Sequence, residues 1–285
     1  MKRFNGIALS VAFCSLASQA ALAQTKIDTL KVQNLNEVIV KGVRAAKEAP
    51  YAVANIRKSE LKQFSCSGQE LPFLLSRTPG ILAWSENGIG TGTTYMRIRG
   101  AAGSRINVTL DGVALNSPED QTVFWANMNS YSSLLGSIQV QRGVGSSTNG
   151  DGAFGGSISM ATAAPSLTPT AEVTGSFGSY NTYHTGASFS TGLLGKHLIF
   201  DGAYHETATD GYVDGTAGRS GSYYGGLTWL SDNFKVSYKN IGNFEKTGQA
   251  WNGVLGGDYN SNFSLLQDGI RTYKAVSYTH LRAHE

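Results

Sequence analysis

Two cysteines occur in 285 residues, Cys14 and Cys66. Cys14 falls within an N-terminal segment read below as cleaved, so the exported product keeps Cys66 alone and has no internal disulfide to staple it. An excess of one charge is also missing. Lys and Arg number 23 against 20 Asp and Glu, a formal +3, and removing Lys2 and Arg3 with the N-terminal segment leaves 21 − 20 = +1. That balance gives no basic footprint for nucleic acid. Beyond the N-terminal segment no apolar run approaches the roughly 18 residues of a membrane helix. Any membrane contact must therefore come from a barrel or lie at the surface.

Catalytic patterns are equally scarce. There is no GxSxG elbow, and Ser, His and acidic residues are scattered without a triad arrangement. "GDGAFG", Gly150 to Gly155, matches a dinucleotide-binding fingerprint literally, but the "SISMAT" that follows reads as strand, whereas a pyrophosphate needs a helix N-terminus. The glycines are read as tight turns. Asp201 and His205 share a polar strand face, which suits solvent or a barrel lumen. No catalytic residue, metal site or cofactor is expected, and the protein is not expected to be an enzyme.

What is present begins with "MKRFNGIALSVAFCSLASQAALAQ": Lys2 and Arg3, an apolar run from Ile7 to about Leu16, and a small-residue "ALA" ending at Ala23. This is a secretory signal over residues 1–23. Bulky Phe13 before Cys14 argues against lipid attachment there. Residues 24–50 are polar and charged and read as a mobile leader. Within it, "LNEVIVKG", Leu35 to Gly42, places Val38, Ile39 and Val40 together without alternation. Such a segment either belongs to a local sheet or waits for a partner strand.

Residues 51–164 show a compact mixed pattern. Leu71, Leu74 and Leu75 have helical spacing, with Ser67 and Glu70 placed as a capping box. "INVTLDGVAL" is the clearest hairpin signal, since Asp111-Gly112 can take the positive φ angles of a primed turn. Further strands are expected at "YMRIRG", "GSIQVQRG" and "GGSISMAT". The whole reads as a small α+β domain.

From residue 165 to about 275 the texture changes to alternating stripes: Ala171, Val173, Phe177; Tyr183, Ala187, Phe189; Leu198, Phe200, Tyr204; Tyr223, Leu227, Trp229; Phe234, Val236, Tyr238. Segments of about ten residues fit a tilted transmembrane strand better than the five or six usual in soluble domains. A soluble sandwich with one wet face explains the alternation equally well, though not the length. The tail "VSYTHLRAHE", Val276 to Glu285, resembles one reading frame of the transposase adaptor used in sequencing libraries. His280 and His284, at a helical metal spacing, then carry no meaning, and natural sequence is expected to stop near Ala275.

"LPFLLSRTPGI", "MRIRGAAGSRINVTLDGVALN" and "LLGSIQVQRGVGSSTNGDGAFGGSISMAT" are similar, in order and spacing, to the plug domain of TonB-dependent outer-membrane receptors. The resemblance implies an α+β plug domain followed by the start of an antiparallel transmembrane β-barrel, about five of about twenty-two strands. It implies a Gram-negative outer-membrane location with the leader in the periplasm. It also places Asn36, Glu37, Val38, Ile39 and Val40 in the TonB box, where a backbone strand pairs with an edge of TonB, itself energised with ExbB and ExbD. Arg97, Arg99 and Arg142 are implied to lock the plug to acidic groups of the barrel wall. Two plug loops, Ala83 to Thr94 and Asn116 to Asn127, should face outward, with Trp84, Asn87, Phe124 and Trp125 as ligand surface. Asp111 is read as a turn residue.

The implied partners are TonB, outer-membrane lipid and an extracellular small molecule. A ferric siderophore is the first expectation; haem, cobalamin or an oligosaccharide, the last with a surface lipoprotein, are alternatives. A barrel-anchored signalling or adhesion protein is the reading from another class.

Overall fold

The computed structural model describes residues 44–45, 50, 52–144, 153–213, 215–231 and 233–248. An inner sheet has the order β1 (Ala52–Arg57), β6 (Leu135–Arg142), β7 (Gly156–Thr162), β4 (Ile106–Leu110) and β5 (Val113–Ala114). All neighbours are antiparallel except β4 and β7. β7 is buried along its whole length because it lies at the centre of the sheet. Ile158 and Met160 join the core on one face. Ser159 faces the other way, where Arg44 donates from Nε to its hydroxyl at 3.2 Å and from Nη2 to its carbonyl at 3.0 Å.

The core side is covered by α1 (Lys58–Ser65) and α2 (Leu71–Leu75). Their Leu61, Phe64, Leu71, Leu74 and Leu75 pack with Ile138, Val140, Ile158 and Met160. Each such side chain is worth about 1.5–3 kcal/mol of burial. α2 stands where the leucine spacing places it, but the Ser67–Glu70 box does not form. Ser67 Oγ is taken by the Gln69 N–H at 3.2 Å, and Glu70 is itself the N-cap residue with no side-chain cap bond. Pro72 lies in the first turn, where its missing N–H is no loss.

The Asp111-Gly112 turn has φ of 50° and 86°, the left-handed pair that joins β4 to β5. One expectation is corrected here. Ala83 to Thr94 is not a single loop: β2 (Ile81–Ser85) pairs with β3 (Thr94–Ile98), so Ala83–Ser85 and Thr94 are strand and only the tip between them is loop.

The second sheet is a meander of β8 (Thr170–Phe177), β9 (Tyr183–Ser190), β10 (Leu198–Thr209), β11 (Gly218–Leu230) and β12 (Lys235–Thr247), antiparallel throughout. β10 has 12 residues and β11 and β12 have 13 each, enough for a tilted membrane span. Its two faces decide between the readings left open by alternation. The exposed parity carries Phe189, Phe200, Tyr204, Tyr223, Leu227, Trp229, Val236 and Tyr238, while the buried parity carries His184, His205, Thr207, Ser220, Ser222 and Thr228. A soluble sandwich would bury the first set and wet the second. This wall does the reverse, as a barrel does around a polar interior.

The inner domain packs against the buried face of this wall. Ala203, Tyr224 and Ile241 of the wall pack against the core of the inner sheet and helices. Among the described residues no helix is long and apolar enough to cross a membrane.

Candidate functional site

At one end of the inner domain the β2–β3 tip is built around Asn87. This residue is 3 % exposed, and its Oδ1 accepts from the N–H groups of Ile89, Gly90 and Thr91 at 3.1, 3.2 and 3.4 Å. Its backbone carbonyl accepts from Tyr212 at 2.9 Å and Val213 at 3.3 Å, in the connection between β10 and β11. Gly88, at φ 78°, lies against the Tyr212 ring, where a Cβ would come within 3.0 Å. Asn87 therefore shapes and seats the tip from within. Trp84 stands outside it, 40 % exposed, stacked on Tyr95 at 5.4 Å with the Arg97 guanidinium 5.8 Å from its ring. Tyr95 donates its hydroxyl to Glu86 at 2.7 Å; burial, then that bond, push it up to about 12.

The second loop is held by Asn116. Its Oδ1 accepts from Val108 N–H at 2.8 Å, and its amide donates to the carbonyls of Ile106 and Gln121 at 2.9 and 2.7 Å. Asp120 accepts from the Thr122 N–H and hydroxyl. Phe124 is 59 % exposed beyond this turn, whereas Trp125 is buried in the core. The structure thus brings Trp84 and Phe124 to the surface and turns Asn87 and Trp125 inward.

Further polar contacts tie the inner domain to the wall. Lys62 of α1 pairs with Glu172 of β8 at 2.7 Å, and Ser176 donates to the Cys66 carbonyl at 2.6 Å. Lys239 of β12 reaches Asp111 at 2.8 Å and also contacts Thr162 Oγ1. Asp111 accepts at the same time from the Thr162 N–H and hydroxyl at 2.9 and 2.8 Å. Burial raises the Asp111 carboxyl, but the Lys239 ammonium and the two Thr162 bonds outweigh it, so the group lies below the ordinary carboxylate range. Asp111 is a turn residue, as read, and also the tie between the two sheets, which the sequence reading missed.

Glu70 marks another part of this seam. Its N–H donates to Gly90 O at 2.8 Å, yet its Oε2 is buried with no hydrogen bond. Burial, and then the charge of Glu245 on β12, hold it well above its ordinary 4.5, against a bond from Gly92. An acid raised on folding loses stability as pH climbs from its unfolded value toward its folded one. Glu70→Gln should therefore raise the heat-denaturation midpoint at pH 7–8, with little change near pH 4. A scan of midpoint against pH for both proteins checks this.

Arg99 and Arg142 come together beside the Pro79-Gly80 turn. Arg99 N–H donates to Gly80 O at 2.7 Å and Arg142 Nη1 to Pro79 O at 2.8 Å. None of Arg97, Arg99 and Arg142 forms an ion pair among the described residues. Asn36, Glu37, Val38, Ile39 and Val40 lie outside the described residues. The leader is seen at residues 44–45, where Arg44 Nη1 donates to Ser137 Oγ at 2.9 Å and Ala45 N–H to Gln139 Oε1 at 2.7 Å. Among the described residues no cluster of His, Cys, Asp and Glu could hold a metal ion.

Residues 45–157 match the family model described as "TonB-dependent Receptor Plug Domain". No curated protein matches the chain. Among solved structures it is similar to the siderophore receptor PirA from Acinetobacter baumannii, at 19 % identity over 75 % of this chain and 34 % of that one, TM-score 0.55. It is also similar to the copper transporter OprC, at 14 % over 72 % and 33 %, TM-score 0.59. The ferric yersiniabactin uptake receptor FyuA from Yersinia pestis aligns at 16 % over 72 % and 33 %, TM-score 0.56. The chain spans about a third of the length of these relatives.

Proposed function

We propose that the chain carries a plug domain of the TonB-dependent receptors, a family of transport receptors and not of enzymes, and that it imports a scarce nutrient across the outer membrane, with a ferric siderophore as the ligand. The observation that carries the reading is the match of residues 45–157 to the plug family, on a domain seated against long strands whose exposed face is apolar. The siderophore is supported by similar folds whose ligands are named: PirA is a siderophore receptor and FyuA takes up ferric yersiniabactin.

In this reading the ligand binds at the outward mouth, where Trp84 and Phe124 offer apolar and stacking surface. Arg99 and Arg142, without an acidic partner among the described residues, hold the plug through carboxylates of wall strands beyond β12. Ligand binding changes the relative populations of plug states and exposes Asn36–Val40 to TonB, which adds the segment as a strand to its sheet edge. ExbB and ExbD supply the energy through TonB.

The test is uptake by cells carrying the full-length gene. In an iron-starved host lacking its own receptors, a panel of iron-loaded siderophores, haem and cobalamin is offered with an intact or deleted TonB. TonB-dependent accumulation of one iron complex bears out the proposal. Accumulation of haem or cobalamin alone overturns the siderophore, and TonB-independent binding without accumulation favours an adhesion or signalling protein.

A further inference from the structure

The exposed face of the wall is not uniformly apolar. Following β11 along that face gives Trp229, Leu227, Tyr223 and then, at the far end, Arg219. Its neighbour β12 gives Val236, Tyr238, Asn240, Gly242, Phe244 and then Lys246, and Arg219 lies directly opposite Lys246 in the register. Two cations therefore stand side by side at one end of a face whose large side chains on β11 and β12 are otherwise apolar.

Arg219 is held in place. Its Nε and Nη2 donate to the two oxygens of Glu206 at 2.8 and 2.7 Å, and Tyr183 and Tyr204 donate their hydroxyls to the same carboxylate at 3.0 and 2.7 Å. Glu206 is 7 % exposed beneath this cover, while the Arg219 side chain is 61 % exposed. Nη1 of Arg219 has no partner among the described residues, and neither has Lys246. After Glu206 neutralises one cation, the cluster keeps one net positive charge, with donors turned outward.

Its height on the wall is set by the strand. Trp229 and Arg219 are 229 − 219 = 10 positions apart on β11. At about 3.4 Å per residue and a tilt of about 40°, that is roughly 26 Å along the barrel axis, the height of an outer-membrane apolar band. If Trp229, stacked on His197, marks one membrane interface, Arg219 and Lys246 sit at the other. Tyr212 and Tyr180, packed edge to face at 5.6 Å, stand in the connections at that same end, as an aromatic girdle requires. This is also the end where the wall meets the Asn87 tip, which the transport reading turns outward.

We propose that Arg219 and Lys246, braced by Glu206, Tyr183 and Tyr204, form a binding site on the outside of the barrel for the phosphate of an outer-leaflet glycolipid of the lipid A class. The inference rests on the barrel reading. The cationic pair complements an anionic headgroup at headgroup height, and the pre-bound guanidinium loses little freedom on binding.

The full-length protein, extracted in detergent free of lipopolysaccharide, is titrated with bis-phosphorylated lipid A, with dephosphorylated lipid A and with inorganic phosphate. Bound lipid and the heat-modification midpoint on gels are read. The wild type should take up the phosphorylated lipid and gain several degrees, and Arg219→Gln with Lys246→Gln should weaken apparent affinity about tenfold or more while still running as a heat-modifiable barrel. Unchanged affinity in that double variant overturns the site. Equal stabilisation by dephosphorylated lipid A, or by inorganic phosphate, overturns the lipid phosphate as its occupant. A wild-type product that is not heat-modifiable sinks the barrel reading itself, and the site with it.

Discussion

Replacing Ile39 with proline is expected to reduce energised uptake to background while leaving surface binding of the ligand intact. The segment Asn36–Val40 lies in a polar leader and holds three consecutive β-branched residues, a composition suited to an extended strand whose partner belongs to another protein. Strand addition depends on backbone N–H and C=O groups. Proline removes one donor, and its ring fixes φ near −65°, away from a flat pairing strand. Ligand contacts on the plug and barrel loops are untouched, so binding persists. Ile39→Val keeps both backbone and shape and should transport normally. Transport assays with labelled ligand in whole cells decide the matter, and unimpaired uptake by the proline variant rules out the box assignment.

The second large effect is expected at Asp111. Its carboxylate takes two bonds from Thr162 and one from Lys239, and so joins the turn of the inner sheet to β12 of the wall. Bonds to a charged acceptor are worth about 1.5–3 kcal/mol each when buried, and this cluster is about one-third exposed, so Asp111→Ala should cost about 2–3 kcal/mol. Asp111→Asn retains an acceptor for the Thr162 N–H and tolerates the left-handed turn, but loses the charge facing Lys239. It should cost less. The sign with pH follows from the lowered carboxyl. Its contribution is fully present above the ordinary carboxylate value of 3.8 and is lost as pH falls through the lower folded value. Wild type and Asp111→Asn should therefore differ at pH 7 and converge in strong acid. Heat-modification midpoints of the full-length barrel measure both, and an equal gap at every pH would show that the charge contributes nothing.

How much of this was legible in the sequence depends on where each residue finds its partner. The β4–β5 hairpin was readable because its signal is local: alternation running into Asp111-Gly112. The wall strands were readable because length and parity are both periodic properties. What alternation cannot show is which face is wet, and the soluble sandwich fell only when the buried parity proved to be Thr, Ser and His. β1 was missed because it is an edge strand of Ala52–Arg57 whose partner, β6, lies far along the chain. α1 had a usable signal in Leu61 and Phe64, three apart and both buried, but it is only eight residues long. The Ser67–Glu70 box failed because the Ser67 hydroxyl accepts from the nearer Gln69 N–H and Glu70 is itself the N-cap residue of α2.

The candidate site was legible in kind and less so in detail. Trp84 and Phe124 emerge at the surface, while Asn87 and Trp125 fold inward, since an Asn that can accept from three successive N–H groups closes a turn more readily than it stands in solvent. The Lys239–Asp111 and Lys62–Glu172 pairs join residues more than a hundred positions apart, and no local pattern announces them.

The route of the leader has a mechanical consequence. The chain crosses Ser137, Gln139 and Ser159 at residues 44–45 before it enters β1, and β1 is the outermost strand of its sheet. A pull on the chain from its N-terminal side therefore loads the Arg44 clasp first and reaches the β1–β6 ladder afterwards, at the Ala52–Arg142 rung. The buried centre of the sheet at β7 lies behind β6, with β4 and β5 beyond it.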